Sequence, residues 1–421
     1  MQLHNRMAQY RPTKATGVIT PYLVHGVAEQ YLRIPCAVFM WCIFVCGALA
    51  PFLRSEDEED VTSRRCILWH LLTWGHAYLC TNGLFIATAF LVENARCLVA
   101  PGPRRLSLAD DYKEGNPAKV DKMAAFVYDT PPDTYERVKM FCFMVTGVAF
   151  VRVFTALASI FLGLFTASVA GYFDRYAHPW WFGFWSRVTA FITIVVFAVL
   201  GVYSVPQYGQ FSSRSECKIL IANHSCVMEV IWLYVMGGFP SFVSRKENLS
   251  FFFFGNVVRG SSSILVDRDV ATSREQTMKS IMQRAGDPTA PQLMIFPEGT
   301  TGNQQALLMF KKGVFEASMP VQMVCIAFPY KHFNPAWLGR GAGGNSLCDI
   351  LLRLSCQFVN YAEVRLLPVY YPTEEEKKDP KLYAGHCQRM IATVLREKIS
   401  DASFGDYKEA FRRFAELKKN L

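Results

Sequence analysis

The chain divides into two textures. Up to about residue 205, long uninterrupted apolar runs alternate with polar stretches, and beyond it short apolar runs alternate with helix-period patterns. Residues 34–53 form an uncharged apolar run long enough to span a bilayer, and residues 66–92 form a second, also uncharged, that contains His70 and His76. Both are expected as transmembrane helices. Arg6, Arg11, Lys14 and Arg33 precede the first run, and the short connector carries the acidic stretch 56–60. That asymmetry places residues 1–33 in the cytosol and the connector in the lumen. Residues 93–139 are polar, contain Pro101, Pro103, Pro131 and Pro132, and read as a partly flexible linker. Residues 140–172 are apolar apart from Arg152, which is too long for one upright helix and fits a tilted helix or a re-entrant hairpin. The aromatic cluster 180–185 then leads into a further apolar helix at 187–203. Residues 140–205 are expected to enter or lie along the cytosolic leaflet without adding a net crossing.

From residue 206 the pattern predicts strands at 218–222, 263–266, 292–296, 320–328 and 362–370. Helices are predicted between and after them, at 226–235, 273–285, 306–316, 347–357 and 379–399. Alternation of this kind argues an α/β domain over residues 206–400, with a central, largely parallel sheet flanked by helices. Residues 401–421 form a tail ending Lys418-Lys419-Asn420-Leu421, similar to the dilysine retrieval signal of endoplasmic-reticulum membrane proteins.

Composition agrees with a membrane location. Of 421 residues 51% are hydrophobic and 14% aromatic, above the level of an ordinary soluble enzyme. The net charge of +9 suits an anionic phospholipid surface. Nucleic acid is not expected as a partner, since no basic helix is interleaved with aromatic residues. Thirteen cysteines show no paired spacing and no neighbouring His cluster, so neither a zinc site nor a disulfide framework is suggested. No cleavable signal peptide is expected, because the first long apolar run begins only at Ile34.

Two loops carry candidate chemistry. His224 stands at a strand-to-helix corner, with Asn223 and Ser225 supplying helix-start chemistry and Glu229 following five positions on. Residues five apart lie about 140° around a helix and cannot share a face. If His224 is still in the loop, Glu229 can reach back to it as an orienting carboxylate reaches a base. A His at a strand end can equally be a polar residue satisfied by backbone groups. The second loop follows the apolar strand at 292–296 and contains Glu298, Gly299, Thr300 and Thr301, and strand ends of this kind are where α/β folds place ligands.

His224 with an acid five positions on, followed by Phe296-Pro297-Glu298-Gly299-Thr300, resembles the glycerophospholipid acyltransferase family. That family's first motif is His-x4-Asp and its third Pro-Glu-Gly-Thr. Residues 263–268, a strand ending in Arg268, resemble its second motif. Residues 243–248, 309–315 and 359–384 point within it to the lysophosphatidylcholine acyltransferases, with the endoplasmic-reticulum glycerol-3-phosphate acyltransferases close behind. The resemblance covers roughly residues 140–411 and leaves out 1–139. Glu229 departs from it, standing where the family has Asp, and the EF-hand extension of some members does not follow within the given sequence.

The resemblance implies an acyl-CoA:lysophospholipid O-acyltransferase of phospholipid remodelling, with lysophosphatidylcholine as the expected acceptor, acyl-CoA as co-substrate and no bound cofactor or metal. The implied alternatives are a glycerol-3-phosphate or lysophosphatidic acid acyltransferase, or a catalytically silent lipid-binding scaffold on the same fold. His224 is the implied general base and Glu229 its orienter. Arg268 is a phosphate partner, because guanidinium binds phosphate bidentately, though a salt bridge with Asp267 or Asp269 would also occupy it. Glu298, Gly299 and Thr300 would hold the glycerol and phosphate end, and Lys311 and Lys312 would steer CoA phosphates or form a solvated basic face. A multi-pass endoplasmic-reticulum protein with its catalytic domain and carboxyl terminus in the cytosol is the expected setting.

Overall fold

A computed structural model describes residues 40–45, 64–99, 117–250, 273–330, 333–338 and 345–419, together with position 38 and parts of 255–266. Residues 1–33, most of the first apolar run, the acidic connector, Arg268 and the final two residues lie outside the described residues.

Ten strands and ten α-helices are described. The strands are β1 (Lys119–Val120), β2 (Gln207–Tyr208), β3 (Ile219–Ala222), β4 (Ser241–Arg245), β5 (Ile264–Val266), β6 (Leu293–Ile295), β7 (Ala306–Leu307), β8 (Val321–Ala327), β9 (Glu363–Tyr370) and β10 (Lys398–Ser400). The helices are α1 (Arg64–Val99), α2 (Thr134–Val145), α3 (Val148–Ala170), α4 (Pro179–Val199), α5 (Val227–Met236), α6 (Ser273–Gly286), α7 (Leu347–Ser355), α8 (Glu374–Lys378), α9 (Pro380–Leu395) and α10 (Phe404–Lys419). The main sheet runs β2-β9-β8-β3-β6-β4-β5, with β9 antiparallel to β8 and every other pairing parallel. Along β3, Ile219 and Ile221 enter one apolar cluster, with α9 and α6, while Leu220 and Ala222 enter the other, with α4, α5 and α7. A strand buried on both faces must be apolar at every position. That requirement is why 219–222 reads as a continuous apolar run.

Several elements depart from the sequence reading. Residues 306–316 are not a helix: Ala306 and Leu307 pair with Lys398 and Ile399, and Lys312–Ala317 forms a 3-10 turn. Gly313 weakens helix there, and edge pairing overrides what propensity remains. The helix expected over 379–399 stops at Leu395, where Arg396 turns left-handed at φ 57°, and the chain continues as β10. The overlong run 140–172 breaks at Gly147, whose φ of 75° suits glycine, and so divides between α2 and α3. The supposed linker is structured at both ends: α1 extends to Val99, and residues 117–139 fold against the domain through β1, which pairs with β10, and through α2. Its polar side chains are what bind it there. Asp129 accepts from Asn334 and Gln305, and Glu136 pairs with Arg353 at 2.5 Å in full burial.

Among the described residues, three helical stretches are long and apolar enough to cross a membrane: Thr73–Ala95 within α1, α3 and α4. The last two pack together as a hairpin and cover α5 and α7. Phe150, Phe154, Phe161 and Phe165 of α3, and Phe184 and Phe191 of α4, face outward.

Candidate active site

Because β3, β6 and β8 are parallel, their carboxyl ends open on one edge, and both candidate loops leave from it. Asn223 fastens the first loop to β8, donating to the Ile326 carbonyl and accepting from the Ile326 N–H, both at 2.8 Å. Its side chain therefore does not cap α5, as the sequence suggested. The N-cap position is Cys226, and it makes no side-chain bond to the helix.

Glu229 takes over that end of the helix. Its Oε1 accepts from the Ser225 N–H at 2.6 Å and lies 2.5 Å from His224 Nδ1, while Oε2 accepts from the Ser225 hydroxyl at 3.0 Å. The carboxylate is fully buried. His224 sits in the loop, as reach-back requires, and its ring stacks on Phe296 at 4.3 Å between centroids with 20° between planes. With a carboxylate at Nδ1, that nitrogen carries the proton, so Nε2 presents its lone pair. The imidazole side chain is 19% exposed, enough to meet a substrate atom while its partner stays dry.

The second loop holds the first by its backbone. Glu298, 2% exposed, accepts from the His224 N–H at 2.6 Å with one oxygen and from the Leu308 N–H at 3.0 Å with the other. Burial holds its pKa well above the usual carboxylate range, against the lowering effect of those two donors. Gly302 N–H donates to the His224 carbonyl at 2.8 Å. Gly299 has φ 71°, and a Cβ there would meet Lys311 Nζ at 1.9 Å, so Lys311 lies directly over this glycine. Thr300 is half-buried beside it. Lys312 points elsewhere and pairs with Glu316 at 2.9 Å.

The sequence reading missed several contributors. Trp337 N–H donates to the Ser225 carbonyl, and the Thr301 hydroxyl donates to the Trp337 carbonyl, which makes 333–338 a roof over both loops. Asn303, fully buried, ties the second loop to the Ala124 and Val127 carbonyls. Glu397 lies where burial and the Glu229 charge push its pKa up to about 8. None of these carries a local signal, because each acts between segments 36 or more positions apart or by proximity alone. Among the described residues no three His, Cys, Asp or Glu side chains converge to hold a metal ion.

The chain has relatives among known proteins. The acyltransferase family model matches residues 205–329, which include both loops. Human lysophospholipid acyltransferase LPCAT4 is 33% identical over 288 residues, 66% of this chain and 54% of that protein. Rat lysophosphatidylcholine acyltransferase 1 is 33% identical over 228 residues, covering 53% and 42%, and Arabidopsis thaliana lysophospholipid acyltransferase LPEAT2 is 30% identical over 276, covering 65% and 50%. The chain thus spans about half the length of these relatives. Among solved structures, the 1-acyl-sn-glycerophosphate acyltransferase PlsC of Thermotoga maritima aligns over 61% of this chain and 94% of its own, at 14% identity and a TM-score of 0.35. Through residues 205–329 the chain belongs to the acyltransferase family.

Proposed function

We propose that this protein is an acyl-CoA:lysophospholipid O-acyltransferase, with lysophosphatidylcholine as its leading acceptor. The observation that carries the reading is the 2.5 Å contact of His224 Nδ1 with buried Glu229, on the strand edge that the family match covers. The names of the relatives, all acyltransferases of lysophospholipids, support the acceptor class.

His224 Nε2 takes the proton of the acceptor hydroxyl as its oxygen attacks the thioester carbonyl. The tetrahedral intermediate collapses by breaking the C–S bond, and the imidazolium returns the proton to the departing CoA sulfur. Glu229 fixes the tautomer and stabilises the imidazolium. Thr300, Gly299 and Lys311 take the acceptor and phosphate side in this reading, with Arg268 as a further phosphate partner. Glu298 works one step removed, because both its oxygens hold backbone N–H groups. We assign Lys312 no part in the reaction, since Glu316 engages it. The protein resides in the endoplasmic-reticulum membrane with this domain in the cytosol.

The test is CoA release by purified protein given one acyl-CoA and a panel of lysophospholipids plus glycerol 3-phosphate. His224→Ala, with an unchanged melting temperature, should abolish turnover of the preferred acceptor. Undiminished turnover in that variant would end the assignment, and exclusive use of glycerol 3-phosphate would move the acceptor to a phosphomonoester.

A further inference from the structure

Both ends of the α3–α4 hairpin are fastened to the domain. Near its start Arg152 donates to the Gln357 carbonyl at 2.6 Å, and in the turn between the helices Arg175 donates to the Phe239 carbonyl at 3.0 Å. The 23 residues of α3 span about 35 Å, so the hairpin lies against the domain along its length and offers lipid its outer face. Where its tip meets the domain, a cavity of about 850 Å³ opens, lined by Tyr172, Arg175, Tyr176, Arg284 and Asp287 among others. Ala290 and Pro291, which precede β6, also line it. The cavity is therefore at the amino edge of the sheet, opposite His224.

Four cations gather here against two acids: Arg175 and Arg284 line the cavity together with Asp174 and Asp287, and Arg214 and Lys218 stand beside it. Arg175 lies 4.6 Å above the Phe182 ring, and Arg214 covers Tyr176 at 4.7 Å and donates to the Thr289 carbonyl at 2.8 Å. Lys218 Nζ donates to the Asp287 and Pro288 carbonyls at 2.9 and 3.2 Å. The neighbouring acids are occupied by their own turns. Asp174 accepts the N–H groups of Tyr176 and Ala177, and Asp287 accepts the Thr289 N–H and hydroxyl. Among the described residues no ion pair joins the two sets. Burial and the nearby Arg214 lower the basicity of Lys218, and the Asp287 charge offsets only part of that effect.

The aromatic residues at the tip show what kind of anion approaches. Tyr172 and Trp180 are largely exposed, and Trp181 and Trp185 stand next to them. Indole and phenol rings gather at the headgroup level of a bilayer, where basic side chains attract anionic lipid. We propose that this cavity binds the headgroup of an anionic phospholipid at the membrane surface. The bound lipid holds the amino edge of the domain to the membrane and is independent of the acyl-transfer reaction.

The full chain in neutral detergent, titrated with short-chain phosphatidylserine, phosphatidylcholine or inorganic phosphate, tests this by thermal melting. Phosphatidylserine should raise the melting temperature, phosphatidylcholine and phosphate should not, and His224→Ala should keep the response. Removing one surface cation costs about fivefold in affinity and two about 30-fold, so Arg284→Gln should weaken the response by the first factor and Arg214→Gln with Arg284→Gln by the second. Because Arg214 also bonds a carbonyl, the single Arg284 variant keeps the test valid if the double variant melts early. An equal response to phosphatidylcholine, a shift reproduced by phosphate alone, or an unaltered response in Arg284→Gln would each overturn the proposal.

Discussion

Shortening Glu229 to Asp probes the acid–histidine pair most directly. In the family resembled by this chain the position is Asp, so the substitution restores the commoner residue, yet the structure argues that it damages this site. Glu229 Oε1 meets two donors at once, His224 Nδ1 at 2.5 Å and the Ser225 N–H at 2.6 Å. Removing one methylene withdraws the carboxylate by ~1.5 Å, which leaves Nδ1 at about 4 Å, beyond hydrogen-bond range. A hydrogen bond to a charged group contributes about 1.5–3 kcal/mol, and misplacement of this size costs on the order of 10²-fold in rate. Glu229→Asp should therefore lower kcat by roughly 10- to 100-fold with KM little changed, since the carboxylate does not face the substrate side. Steady-state CoA release at saturating acceptor measures it. The length-matched Glu229→Gln should lose at least as much, because an amide cannot stabilise the imidazolium. A gain in kcat for Glu229→Asp would refute the reasoning: the backbone would then be free to close the gap, and the native Glu would mark a weakened site.

Three further outcomes follow from burial and side-chain geometry. Glu397→Gln should stabilise the protein near pH 8 and leave it unchanged in mild acid. Its folded pKa of about 8 exceeds the ordinary value of 4.5, so the native state holds an extra proton between those limits and wild-type stability falls as pH rises through them. Melting temperatures measured across that range should show a flatter profile for the variant. Gly299→Ala should cost on the order of 1 kcal/mol from its left-handed backbone alone and displace Lys311, so turnover should fall further than the melting temperature accounts for. Arg353→Ala leaves Glu136 buried without its partner and should cost about 3–5 kcal/mol by denaturant unfolding, whereas with Glu136→Gln added the total should be less than the sum of the singles.

Much of the fold was legible because burial imposes a pattern. The strands at 219–222, 293–295 and 321–327 are apolar at each place the two core layers touch, and they appear within a residue or two of where periodicity puts them. Pairings between distant segments were not legible. The two-residue strands Lys119–Val120 and Ala306–Leu307 exist only because β10 lies between them, and no local pattern announces so short a partner. At the site, spacing gave His224 and Glu229 correctly as a contact. It could not show that Asn223 faces β8, or that Glu298 turns inward, because a carboxylate reads the same whether its partner is substrate or a backbone N–H.

That inward turn changes how the two motifs relate. The peptide N–H of His224 goes to Glu298, its carbonyl receives Gly302, and the next carbonyl receives Trp337. Three of the four backbone groups of His224 and Ser225 are thus held by the second loop or its roof, and Glu229 holds the fourth, the Ser225 N–H. Each such bond contributes only about 1 kcal/mol to stability, but an unsatisfied buried group costs about 1–3 kcal/mol, so none of them can be released cheaply. The burial that raises the Glu298 pKa is the same burial that makes its two backbone bonds strong. His224 therefore keeps side-chain rotation as its main freedom, and Glu229 and the Phe296 ring restrict even that. The two loops behave as one hydrogen-bonded body, in which the acid of the second places the histidine of the first.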